Sequence, residues 1–219
     1  LMKFRLLISC SFMLLLSSCG IQKSVKDRPD VSGFKESIPE RKELAKDVFV
    51  QGNDHLLKNE SGQWEMRVDG DPLELGLTVG SLTQELFHKQ EQYIFAKVED
   101  LVPSKFKQKL VRRFLAYFNR KMYTHIDNEF KAEIFGISQY AAHTYDYVAD
   151  PYMRILYLHG AHDIGHAVQD LALVGCTSFA VWNEHSADST LVIGRNFDFY
   201  AGDDFAKEKI IAFIDPDQG

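Results

Sequence analysis

The hydrophobic pattern changes period near Leu171, and that change limits the folds open to this chain. From Phe34 to Asp170 apolar residues recur mainly at helical spacing. Leu171 to Trp182 is then a continuous apolar stretch rich in small and β-branched residues. Asn183–Glu184–His185–Ser186–Ala187–Asp188 is a polar turn, and Thr190 to Phe197 is apolar again. This reads as a hairpin. Lys209 to Ile214 supplies a third strand, stopped by Asp215–Pro216. Helices followed by strands give an α+β chain. Three strands without continuation would leave a long apolar edge, so the expectation is a β layer whose remainder lies beyond Gly219.

Several helices are expected upstream. Ser37 and Glu40 suit a capping box for a helix from Glu40 to Val48. Ser81, Gln84 and Glu85 suit the start of a second, with Leu82, Leu86, Tyr93, Ile94 and Val98 as its apolar positions. Pro103–Ser104 opens a third through about Tyr117, whose stripe of Phe106, Leu110, Phe114 and Phe118 reads as core packing. Phe130 to Ala142 and Tyr152 to Leu171 complete the set. The basic run from Lys105 to Arg113 is interrupted by apolar residues and reads as a solvated helix face. A hydrophobic content of 45% places the chain among folded proteins, and a net charge of −6 argues against a nucleic-acid partner.

The N-terminus reads as a targeting segment. Lys3 and Arg5 precede an apolar core, Leu6 to Leu16, too short for a comfortable membrane span. It ends in Leu16–Ser17–Ser18–Cys19–Gly20, which resembles the lipobox of bacterial lipoproteins. The resemblance implies removal of residues 1–18, acylation of Cys19 and residence at a membrane of the cell envelope, on its periplasmic or surface face. A plain secretory signal or a single anchor helix is the other reading. Residues 19–35 then form a polar tether, 36–175 a mainly helical region, and 176–219 the first strands of a second unit.

Of the three cysteines, Cys10 leaves with the signal and Cys19 carries lipid, so Cys176 is the single thiol left. In an exported protein such a thiol is either buried and inert or kept for reactivity. Gly175 before it has no side chain to shield its carbonyl and tolerates a strained backbone. That pair suits self-cleavage. The Cys176 thiol attacks the Gly175 carbonyl, and the resulting thioester is hydrolysed to free the α-amine of Cys176. An amine with a pKa of about 8 can then take the thiol proton near neutral pH.

Gly175–Cys176–Thr177–Ser178–Phe179 followed by Gly194–Arg195–Asn196–Phe197–Asp198 resembles the acyl-CoA:6-aminopenicillanic-acid acyltransferase group, and more distantly the choloylglycine hydrolases. Gly70–Asp71–Pro72–Leu73–Glu74–Leu75–Gly76, with Gly80, is similar to a Gly-x-Pro-x-Glu-x-Gly segment near the front of that group. The resemblance implies an αββα N-terminal-nucleophile (Ntn) hydrolase sandwich, cleavage between Gly175 and Cys176, and hydrolysis or transfer of an acyl group from a small amide or thioester substrate. No cofactor is implied. Arg195 would polarise the thiol or meet substrate together with Asn196, and Asp198 would bind the freed α-amine. The oxyanion-hole asparagine of the group lies further along than Gly219. A salt bridge at a strand end is the alternative for Arg195 and Asp198, a turn for Asn196, and a strand lining for Thr177 and Ser178.

Two other functions compete. His159, His162, Asp163 and His166 fall near one helix face, and the four-residue step from His162 to His166 suits a zinc pair. No Glu follows His162 and no third ligand stands at a known spacing, so no metal is assigned; a metal-dependent hydrolase remains the alternative enzyme. A non-catalytic envelope lipoprotein acting as a binding module is the other alternative.

Overall fold

The computed structural model describes residues 21–160, 174–199 and 203–216. The chain is α+β with a mixed sheet. Four short strands come first: β1 (Arg41–Ala45), β2 (Val48–Gln51), β3 (Asp54–Lys58) and β4 (Trp64–Gly70). They form an antiparallel meander, and β7 (Ile210–Pro216) joins parallel to β4 at the far edge.

The expected helix over Glu40 to Val48 is therefore corrected to two strands. Left-handed Asp47 (φ 61) turns the chain from β1 to β2, and left-handed Gly52 (φ 64) turns it from β2 to β3. Asn59 and Gln63 close the next loop, with the Asn59 N–H donating to the Gln63 carbonyl at 2.8 Å. In β4 the even positions Trp64, Met66 and Val68 are buried, the period-two signature of a sheet with one covered face. The third strand expected beside the hairpin also moves, because β7 pairs with β4 instead.

Helix α1 (Pro72–Leu82) crosses the covered face of this sheet. Its start is built from the segment Gly70–Gly76. Gly70 takes φ +130, where a β-carbon would collide with Glu74. Asp71 caps the helix through Oδ1, accepting from the Glu74 N–H at 3.0 Å, and its Oδ2 accepts from the Lys35 N–H at 2.8 Å. Pro72 occupies the first turn, where its missing N–H costs nothing.

Helix α2 (Gln84–Leu101) follows α1 after Thr83 alone, so Ser81 lies inside α1 and does not cap a new helix. Helices α3 (Lys105–Phe118), α4 (Asn128–Ser138) and α5 (Pro151–His159) follow, and residues 21–26 near the N-terminus are helical as well. Two apolar clusters share Val79 of α1. One joins it to Leu56, Trp64, Met66 and Val68 of the sheet, the other to Ile134, Ile137, Ile155 and Leu156 of α4 and α5. The layers are thus sheet, α1, then the α4–α5 pair. Glycines set the spacing between α1 and α4: a β-carbon on Gly76 would collide with the Glu133 backbone, one on Gly136 with the Gly76 and Leu77 backbone.

Polar ties hold the outer pieces. Arg154 of α5 and Glu91 of α2 are 2% and 0% exposed and meet at 2.7 Å. The second Glu91 oxygen accepts from the Ala142 N–H at 2.9 Å, while Arg154 also donates to the carbonyls of Ala142 and Ala149. Glu208, just before β7, accepts from Trp64 Nε1 and pairs with Lys58 and Lys89, each at 3.3 Å. The expected tether, over its described part, lies against the body. Ser24 is buried, Arg28 pairs with Asp150 at 3.0 Å, Asp27 with Lys131 at 3.4 Å and Lys35 with Glu74 at 2.8 Å.

The aromatic stripe of α3 is the clearest correction to a packing expectation. Phe106, Leu110, Phe114 and Phe118 are 70%, 50%, 61% and 61% exposed, and α3 has no buried residue.

Candidate functional site

The candidate site lies on a two-stranded ribbon, β5 (Val174–Asn183) and β6 (Ser189–Phe199), at the positions expected for the hairpin. Its polar turn forms for local reasons. Asn183 (φ 52) and Ser189 (φ 63) adopt left-handed backbone at its two ends. Asp188 accepts from the Thr190 N–H at 3.1 Å, the Thr190 hydroxyl at 2.6 Å and the Ser186 hydroxyl at 3.1 Å. These bonds, first the Thr190 hydroxyl, hold the Asp188 carboxyl below the usual aspartate range.

The register then fixes how the sequence-derived site residues stand. Cys176 is opposite Phe197, Gly175 opposite Asp198, Thr177 opposite Asn196 and Ser178 opposite Arg195. All five candidates, Gly175, Cys176, Arg195, Asn196 and Asp198, therefore occupy one end of the ribbon, away from the turn. Directly opposed residues in such a ladder lie about 5 Å apart and diagonal ones about 7–8 Å. Arg195 is diagonal to Cys176, and Asp198 faces the residue preceding it. Of Gly175, Cys176 and Asp198 it is the backbone that is described; Thr177, Ser178, Arg195 and Asn196 are exposed.

Gly194 has a packing role that sequence reasoning did not assign. It is the partner of Phe179, and a β-carbon there would run into the Phe179 ring. The ring lies across the glycine, which brings an aromatic over an otherwise bare stretch of β6. Apolar side chains line both faces of the ribbon toward the turn. Phe179, Val181 and Val192 stand on one face, Ala180, Leu191 and Ile193 on the other. Phe179, Leu191 and Ile193 are 60%, 61% and 67% exposed.

The upstream glycine segment does not join this site. Gly70, Asp71, Glu74, Gly76 and Gly80 each serve the start of α1 or its crossing with α4. Of the histidine constellation, His159 ends α5 exposed, its Nδ1 3.0 Å from the Ile155 carbonyl, while His162, Asp163 and His166 lie outside the described residues. Burial pushes the neighbouring Glu133 carboxyl up, with His159 opposing that shift. Among the described residues no group of three His, Cys, Asp or Glu side chains is placed to hold a metal. Cys19 also lies outside them, and no described helix is long and apolar enough to cross a membrane.

Comparison with models of protein families, with curated proteins and with solved structures finds no match to this chain.

Proposed function

We propose that the chain carries the nucleophile of a self-cleaving N-terminal cysteine hydrolase or acyltransferase, held in the cell envelope through a lipid on Cys19. The observation that carries this reading is the register of the ribbon, which sets Arg195 diagonal to Cys176 and Asp198 opposite Gly175. In the first reaction the Cys176 thiol adds to the Gly175 carbonyl, the Gly175–Cys176 C–N bond breaks, and the nitrogen leaves as the α-amine. Water then hydrolyses the thioester, releasing the carboxylate of Gly175 and restoring the thiol. Cys176 becomes the first residue of a strand still paired to β6.

From that position the roles follow. The new α-amine forms one residue from the Gly175–Asp198 pair, where a carboxylate stabilises its protonated form. A guanidinium on the residue diagonal to Cys176 would favour its thiolate. The thiolate attacks the acyl carbon of an amide or thioester substrate, the leaving amine or thiol takes the proton held by the α-amine, and water or a second acceptor takes the acyl group. Hydrolysis of an acyl amide fits an envelope compartment better than transfer from acyl-CoA. The ribbon is apolar on both faces toward its turn, a residue pattern shared by strands inside layered sandwiches such as αββα.

Intact-mass measurement of the complete gene product tests the proposal. Cleavage between Gly175 and Cys176 in the wild type, abolished by Cys176→Ala, is the expected result. A gene product that hydrolyses acyl amides while uncut, or keeps its activity as Cys176→Ala, sinks it. Loss of that activity to a chelator would favour the histidine-based alternative.

A further inference from the structure

Helix α3 combines an apolar stripe turned away from the body with a dense positive charge. It carries Lys105, Lys107, Lys109, Arg112 and Arg113 and no acidic residue, in a chain of net charge −6. Its orientation is set by Arg112, whose guanidinium donates to the carbonyls of Tyr147 and Val148. At 3.6 residues per turn Phe114 lies about 160° around the helix from Arg112. Gln108, Arg112, Leu115 and Ala116 on the inner side are accordingly part-buried, while Phe106, Leu110, Phe114 and Phe118 look outward. The stripe is continuous with a shallow apolar groove of ≈ 570 Å³ lined by Leu101, Val102, Pro103, Lys107, Leu110 and Val111.

We infer that α3 lies in the headgroup region of an anionic bilayer, as a second membrane contact beside the N-terminal lipid. Charge complementarity selects this occupant. Exposed Lys107, Lys109 and Arg113 flank or interrupt the stripe, and long cationic side chains of that kind keep their heads at the phosphates while their stems cover apolar surface. The loop that orients α3 also holds the N-terminal segment. Arg112 of α3 is tied to the carbonyls of 147 and 148, and Arg28 of the N-terminal segment is tied to Asp150. The helix and the described part of the segment that follows Cys19 are thus tied to one loop, residues 147–150. A basic amphipathic patch is a signal that binds anionic bilayers on its own account and adds to a lipid anchor. The inference rests on the lipid-anchor reading only in counting this contact as a second one.

The test uses the full unacylated chain with vesicles of phosphatidylcholine alone or mixed with phosphatidylglycerol, some carrying brominated acyl chains. A Phe114→Trp reporter on α3 is compared with Leu44→Trp on the exposed β1 strand, each against the unsubstituted chain. Added quenching for Phe114→Trp and not for Leu44→Trp, in anionic vesicles only, is the expected result. Lys107→Gln with Arg113→Gln should weaken partitioning about thirty-fold, from about five-fold per cation near an anionic surface. Because α3 has no buried residue, unchanged circular dichroism will show that these variants fold. Binding without quenching at position 114, equal binding to neutral vesicles, or vesicle-independent self-association that shields the reporter each overturns the inference; the last would assign the stripe to a second copy. Acylation of Cys19, measured by mass on protein purified from cells, stands or falls separately.

Discussion

Replacing Arg154 with methionine removes one half of a completely buried ion pair and keeps most of the side-chain volume. Glu91 is 0% exposed, and without the guanidinium 2.7 Å away its carboxylate retains the Ala142 N–H as a donor and loses its counter-charge. The carbonyls of Ala142 and Ala149 lose their donors as well. Breaking a buried pair from one side costs about 3–5 kcal/mol, a large share of a typical stability of about 5–15 kcal/mol. At about 2–4 °C per kcal/mol for a chain of this size, Arg154→Met should lower the Tm by roughly 6–20 °C. The double variant Glu91→Leu/Arg154→Met removes both charges and should recover at least about 2 kcal/mol relative to Arg154→Met. Urea unfolding of the two single variants, the double variant and the wild type closes the cycle. A loss below about 1 kcal/mol for Arg154→Met, or singles that simply add in the double, would refute the view that this pair staples α2 to α5.

Two further outcomes are expected. Gly→Ala inside a helix ordinarily gains about 1 kcal/mol, but Gly76→Ala should lose at least about 1 kcal/mol in urea unfolding because its β-carbon meets the Glu133 backbone; Gly33→Ala, with open space around it, should stay within about 0.5 kcal/mol. Glu208 is held below the usual glutamate range, first by the Trp64 indole N–H and then by Lys89 and Lys58. A depressed carboxylate stabilises the fold fully above its unfolded pKa, about 4.3, and that contribution is lost as pH falls through the lower folded value. Thermal melts of wild type and Glu208→Gln should therefore differ at pH 7 and converge as pH drops below about 4; a gap that is constant with pH would contradict the assigned charge state.

The parts of the fold that were legible in the sequence are those determined locally. The ribbon was readable because Asn183 to Asp188 is polar, flanked by apolar stretches, and Asp188 closes the turn with its own neighbours. Ser104 before α3 was readable for the same reason, its hydroxyl accepting from the Lys107 N–H at 3.4 Å. The meander over 41–70 was not, because Glu40 to Val48 mixes charged and apolar residues in a way that satisfies both periods. The deciding signals were the short turns at Asp47 and Gly52. Pairings that join distant segments left no local mark. Nothing in Lys209 to Ile214 says that its partner is β4, more than 140 residues earlier, rather than the adjacent ribbon. Glu91 sits in a polar helical run and reads as solvated until Arg154 is brought to it by the fold.

The candidate site divides along the same line. Spacing alone put Cys176 at the start of a strand and Arg195 and Asp198 on the next, and the ladder converts that spacing into a diagonal and an adjacent position. Gly194 and the Gly70–Gly76 segment show the opposite case, in which residues that resemble a family signature are also required for packing against Phe179, Glu74 and Glu133. The stripe of α3 shows why pattern does not determine burial. Its period predicts a helix with one apolar face, correctly, but whether that face meets protein or lipid depends on where Arg112 turns it. Lys107, Lys109 and Arg113 are the exposed cations beside that face, and the vesicle experiment removes the first and last of them to decide between lipid and protein as its partner.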